Sequence, residues 1–190
     1  MRRRVFLAGA MSSLAMASDR VRVAVIGVRG RGRALTSELL ALPDVEVAAL
    51  VDVDSRSFGR AAKAVEEKTG KAAVTYPDMR RVLDDRTIDA VVIATPDHWH
   101  GPAALLAVAA GKDVYVEKPC SHNLREGRWM VEAARAGKRV MQVGTQGRSR
   151  VSTQRAVEFV RSGGIGKVRM AKAWNVQLRD DIGRKPDSMA

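Results

Sequence analysis

An α/β fold with a doubly wound parallel sheet is predicted by three observations. Short apolar, β-branched runs alternate with helix-spaced segments along most of the 190 residues. Glycines punctuate the ends of those segments. The composition is 46% hydrophobic but only 4% aromatic. Such a chain, rich in Ala and Val, suits small-residue packing of helices on a parallel sheet covered on both faces.

The first strand is Val21–Ile26, in which valines, alanine and isoleucine surround one arginine, Arg22. Gly27, Gly30 and Gly32 form a turn, and a helix follows with Leu35, Leu39, Leu40 and Leu42 on or near one face. A second strand, Val45–Val51, ends at Asp52. Residues 55–69 read as a helix, with Phe58, Ala61, Ala62 and Val65 at helical spacing and Gly70 as its stop. Residues 72–76 form a short strand, and Pro77 and Asp78 cap a brief helix through Leu83. The segment 88–94 is a strongly apolar strand. A helix over 102–110 ends at Gly111, and a strand over 114–116 follows. The next helix, 124–136, is stopped by Gly137. A strand over 140–143 and a helix over 151–161 complete the alternation, closed by Ser162, Gly163 and Gly164. Residues 168–178 then begin to alternate and suit a strand of a different, partly exposed sheet.

Strand, glycine turn, helix, strand and acid in that order are what a dinucleotide site requires. The glycines let backbone approach a pyrophosphate, the helix N-terminus offers free N–H groups and a positive dipole, and the acid takes ribose hydroxyls. The glycine pattern departs from G-x-G-x-x-G, which would place glycines at 27, 29 and 32. Gly27 and Gly32 stand, position 29 is arginine, and Gly30 is displaced by one. Arg29 carries a Cβ where the pyrophosphate passes, so either the loop path differs or the side chain turns outward. The cofactor contacts expected here are Gly27, Arg29, Gly30, Arg31 and Gly32, with Asp52 beyond them. Asp52 favours NAD over NADP, because a carboxylate accepts from a free 2′-hydroxyl and repels a 2′-phosphate. Arg56 is the nearby cation that works the other way.

The formal charge is +12, and Arg2, Arg3 and Arg4 contribute three of those charges. The remaining lysines and arginines are scattered and aromatic stacking residues are sparse, so no nucleic-acid partner is expected. Cys120 is the single cysteine, which excludes an intramolecular disulfide and a CxxC metal site. His98, His100 and His122 lack carboxylate or cysteine spacing, and no metal is expected.

The N-terminus reads as a targeting segment. Three arginines precede an apolar run to about Ala17, and Ala15-Met16-Ala17 fits a small-x-small cleavage site. Arg3-Arg4-Val5-Phe6-Leu7 resembles the twin-arginine export motif. Residues 1–17 are thus a candidate signal for a periplasmic or exported protein; a basic arm on a cytoplasmic protein is the alternative. The apolar run is too short for a stable membrane anchor.

Ligands of open parallel sheets bind beyond the carboxyl ends of the strands. Two loops there carry unusual residues: Thr95-Pro96-Asp97-His98-Trp99-His100, and Glu117-Lys118-Pro119-Cys120-Ser121-His122. At these loops the chain resembles the Gfo/Idh/MocA oxidoreductase family. Ala110-Gly111-Lys112-Asp113-Val114-Tyr115-Val116-Glu117-Lys118-Pro119 is similar to the family's A-G-K-x-V-x-x-E-K-P, and residues 95–100 to its T-P-[ND]-x-x-H loop.

The resemblance implies a Rossmann NAD(P)-binding domain over residues 20–164 and an NAD-dependent oxidoreductase acting on a sugar or polyol. It implies that Lys118 is the active-site lysine between nicotinamide and substrate, and that Glu117 binds the nicotinamide-side ribose. Thr95, Pro96, His100 and Gln146 are further cofactor contacts on the same grounds. Ile165-Gly166-Lys167-Val168 looks like the family's entry into its second domain. Residues 165–190 are then the start of a substrate domain that the chain does not complete, and a homo-oligomer is expected of the full-length form. Two other readings stand beside this one: an NAD-dependent glycoside hydrolase of the same family, and a dinucleotide-binding module without catalysis.

Overall fold

The computed structural model describes residues 20–174. Its elements run β1 (Val21–Ile26), α1 (Gly30–Leu40), β2 (Val45–Val51), α2 (Phe58–Thr69), β3 (Thr75–Tyr76), α3 (Arg80–Asp84), β4 (Ala90–Ile93), α4 (His100–Ala109), β5 (Asp113–Glu117), α5 (Leu124–Gly137), β6 (Met141–Gly144) and α6 (Val151–Arg161). The six strands form one sheet in the order β3-β2-β1-β4-β5-β6, and every pair is parallel. The expected fold class is therefore the observed one.

Strand periodicity sends alternate side chains to two cores. Val23, Val25, Val47, Leu50 and Val92 face α1 and α2, meeting Leu35, Ala61 and Val65. Ala24, Ile26, Val91, Ile93, Val114 and Val116 face α3, α4 and α5, meeting Val82, Ala103, Ala104, Ala107 and Met130. A register irregularity between Val23 and Ala24 offsets β1 against β2. β1 lies between β2 and β4, so the winding direction reverses there. The carboxyl ends of β1 and β4 mark the crevice where such sheets bind ligands.

At the opposite edge, Lys112 is buried and its ammonium donates to Asp85 O at 2.5 Å and Ile88 O at 2.8 Å. These carbonyls supply the polar contacts a buried charge requires.

Several boundaries differ from expectation. The 55–57 segment is a tight 3₁₀ turn before α2, because Asp54 accepts from Arg56 N–H and caps it. Strand β3 is only two residues, since it pairs with β2 only at Leu50 and Val51. Gly137 lies inside α5, and Lys138 takes the left-handed exit at φ 51°. A Cβ on Gly137 would stand 3.1 Å from Val108 Cγ1, so this glycine serves the close approach of α4 and α5. Residues 168–174 carry no strand: the sheet closes at β6 without taking them up, and residues 175–178 of the expected strand lie outside the described residues. So does the candidate signal, residues 1–17. Among the described residues, no helix is long and apolar enough to cross a membrane.

Candidate functional site

Three strand ends meet at the crevice. Gly27 follows β1 with φ +83°, and a Cβ there would stand 2.8 Å from the Ala94 carbonyl after β4. Gly32 in α1 is tighter still, since its Cβ would fall 1.7 Å from Gly27 O. Only glycine allows the turn to fold back on the helix in this way. Gly30 has φ +38° with nothing near it, so its need is conformational. No side chain caps α1. Its first N–H groups, at Gly30 and Arg31, have no acceptor within the helix, and Gly30 lines the crevice.

Arg29 does turn outward. It is the extended residue preceding α1, and its guanidinium crosses to the loop after β2. There Nε donates to Ser57 Oγ at 2.5 Å and Nη2 to Asp54 Oδ2. Asp52 is half-buried. It accepts from Val28 N–H and from Asp54 N–H, each at 3.0 Å, which ties the first and second βα loops together.

Asp54 is a site residue that the sequence reading missed. It is 8% exposed and accepts a forked pair from Arg56, Nε at 2.7 Å and Nη2 at 2.9 Å. Those bonds, with the charge of Arg29, hold its carboxyl down at about 2. Asp78 repeats the device: Arg80 donates through Nε and Nη2 and holds its carboxyl at about 2. The D-x-R spacing at both places was the available signal.

The crevice encloses about 1060 Å³, with Gly27, Gly30, Asp52, Thr95 and Pro96 among its walls. Thr95 Oγ1 is buried and lacks a hydrogen-bond partner. His100 stands back from these walls. It is 1% exposed, with Nδ1 2.5 Å from Pro119 O and Nε2 2.9 Å from Thr95 O. It therefore clamps the loop after β4 to the loop after β5.

The remaining predicted residues gather at the ends of β5 and β6. Glu117 is buried. Its Oε1 accepts from Arg31 Nε at 2.8 Å and from Tyr115 OH at 3.3 Å, and its Oε2 from Lys118 N–H at 3.1 Å. The Glu117 bond is the main cause that raises the already high pKa of Arg31, with burial opposing it. Burial pushes the Tyr115 hydroxyl up. Gly144 leaves room for this group, since a Cβ there would stand 2.5 Å from Tyr115 OH and 2.8 Å from Glu117 Oε1. Lys118 and Gln146 are exposed just beyond their strands, with Lys118 preceding a cis proline.

An uncapped helix start, a glycine turn closed by contact at Gly27 and Gly32, a carboxylate 24 residues beyond Val28 and an unpartnered hydroxyl all suit a dinucleotide. The sequence model described as "Oxidoreductase family, NAD-binding Rossmann fold" matches residues 21–145. The chain belongs to the Gfo/Idh/MocA oxidoreductase family. Within it, the chain is 31% identical to an inositol 2-dehydrogenase of Rubrobacter xylanophilus over 160 residues, covering 83% of this chain and 44% of that one. It is 41% identical to a glycosyl hydrolase family 109 protein of Stenotrophomonas maltophilia over 133 residues, covering 62% of this chain and 29% of the relative. The crystal structure of GenD2 from gentamicin A biosynthesis, in complex with NAD, superposes with a TM-score of 0.69 at 29% identity, covering 77% of this chain and 40% of GenD2. The chain spans less than half the length of these relatives.

Proposed function

We propose that this chain is the cofactor-binding part of an NAD-dependent oxidoreductase that acts on a sugar or polyol. The observation that carries the reading is the crevice at the β1/β4 reversal, walled by the glycine turn, Asp52 and Thr95. The N–H groups at the start of α1 would hold the pyrophosphate, and Asp52 would take the adenine-side ribose. NAD, when bound, supplies the acceptor for a hydride from a carbinol carbon. Lys118 donates a hydrogen bond to the reacting oxygen and polarises it, and the hydroxyl proton passes to a base of the substrate domain. Glu117 orders the lysine loop through the Lys118 N–H and takes part in binding the second ribose. Gln146 reaches the nicotinamide end from β6. Likeness to an inositol 2-dehydrogenase over 83% of the chain supports a polyol substrate.

Likeness to a family 109 glycosyl hydrolase at 41% identity supports a second reading. Here the sugar would give a hydride to bound NAD, eliminate its leaving group, add water in its place and take the hydride back. The two readings separate in one experiment on a form that carries the complete substrate domain. Net accumulation of NADH with cyclic polyols supports the dehydrogenase. Cleavage of aryl glycosides without net NADH supports the hydrolase. Tight NAD binding with neither reaction leaves a binding module.

Preference for NAD over NADP belongs to the same proposal and is read by titrating both against the chain. Asp52→Ala is expected to weaken NAD binding by about 1–3 kcal/mol, and equal affinity of the parent for NADP would overturn the role of Asp52. Residues 165–190 begin the substrate domain, and the complete protein assembles as a homo-oligomer. Residues 1–17 direct export, which predicts a mature N-terminus near Ser18 by mass spectrometry of protein from its host.

A further inference from the structure

The lip of the crevice carries three arginines, and each is bound to an acid. Arg29 and Arg56 converge on Asp54, and Arg80 is held by Asp78. The pair on Asp54 stands beside Asp52, where the adenine-side ribose is expected. Two guanidiniums there face two carboxylates, so the local charge is balanced. Arg56 presents its forked edge to both oxygens of Asp54, and that edge is the part of an arginine that grips a phosphate. Arg29 is held at its Nη2 by Asp54 and at its Nε by Ser57.

We infer that Asp54 determines cofactor preference by holding Arg29 and Arg56 away from the ribose, so that two cations suited to a 2′-phosphate are withheld from one. The inference rests on the dinucleotide reading of the crevice. Asp52 repels a 2′-phosphate directly; Asp54 acts at one remove, by occupying the groups that would attract it. The energetic logic is local. Neutralising Asp54 leaves two cations against one acid, and frees five-donor guanidiniums within a side chain's length of the ribose position. Asp54 is well placed for this role because it is nearly buried, while the arginine side chains that it holds are 66% and 74% exposed. The acid is fixed, and the arginines are the mobile partners.

The test is Asp54→Asn in the full 190-residue chain, with Kd for NAD and NADP measured by titration calorimetry. Asparagine keeps an oxygen to cap the 3₁₀ turn, and a thermal melt checks that the variant folds. The ratio of NADP to NAD affinity is expected to rise about tenfold, the scale of one new charge-assisted hydrogen bond. The gain should shrink in high salt and vanish in the triple variant that also carries Arg29→Ala and Arg56→Ala. If Asp54→Asn does not fold, Asp54→Ser retains a capping oxygen and removes the same charge. A folded variant that binds NAD with an unchanged ratio overturns the role of Asp54 alone. A parent chain that binds neither dinucleotide overturns the crevice reading and this inference with it.

Discussion

Gly32→Ala tests the geometry of the site most severely. The added Cβ would stand 1.7 Å from Gly27 O and 2.8 Å from Gly27 C. Carbon and carbonyl oxygen in contact normally sit about 3.3 Å apart, so the turn must open by roughly 1.5 Å on that scale. The Gly27 peptide has little freedom to yield. Its N–H donates to Val51 O at 2.7 Å, and its other side leans on the Ala94 carbonyl. Overpacking of this kind costs about 3 kcal/mol, and losing the Gly27 hydrogen bond adds about 1 kcal/mol. The expected loss is about 4 kcal/mol, or a fall in urea midpoint of about 2 M. Two glycines calibrate the measurement. Gly30→Ala meets nothing within 4 Å and pays only for φ +38°, about 1 kcal/mol. Gly59→Ala lies in α2, meets nothing and has ordinary φ, so it should stabilise by about 0.5–1 kcal/mol. A Gly32→Ala chain within 1 kcal/mol of the parent would refute the argument that the turn is closed by contact.

Acid should expose the two arginine-held carboxylates. Asp54 and Asp78 sit at about 2 in the folded chain, below the unfolded value near 4, so their contribution is complete above about pH 5 and fades as pH falls from 4 towards 2. Urea midpoints across that range should fall less steeply in Asp54→Asn/Asp78→Asn than in the parent; equal slopes would count against the pairing. Lys118→Ala should leave the melting temperature nearly unchanged, because the side chain is exposed, yet reduce turnover of the complete protein by about 10²–10⁴-fold. Near-normal turnover would reject its role. His100→Ala removes the clamp between Thr95 O and Pro119 O and should destabilise by about 3 kcal/mol, whereas exposed His98→Ala should change stability hardly at all; similar effects would show that the clamp carries no weight.

The sheet was legible in the sequence because each β-branched run is short and helices such as α2 and α5 carry an apolar stripe. Helix α6 matches its expected span of 151–161. Both facts depend on local periodicity, which sequence displays directly. Partner choice is a different matter. Arg29 reads in sequence as an intruder at a glycine position, yet its destination, Asp54, lies 25 residues away. Arg31 reaches Glu117 across 86 residues, a meeting that only the order of β1, β4 and β5 creates. Gly137 has the appearance of a helix stop, and only the neighbouring Val108 reveals that it is a contact residue. His100 stands next to a helix start, and nothing local indicates that two distant carbonyls enclose its ring. For residues 168–174, alternation signalled part of a strand, but a strand exists only where another chain segment accepts its hydrogen bonds.

The Arg31–Glu117 pair joins parts of the chain that synthesis makes far apart. Arg31 belongs to the second position of α1, and Glu117 also receives the backbone N–H of Lys118. One guanidinium therefore fixes the helix start and the lysine loop as a single frame. The Lys118 backbone is anchored through the same carboxylate that holds the start of α1. The same coupling has a vulnerability. A substitution at Arg31, remote in sequence from Lys118, would loosen the lysine loop without touching it.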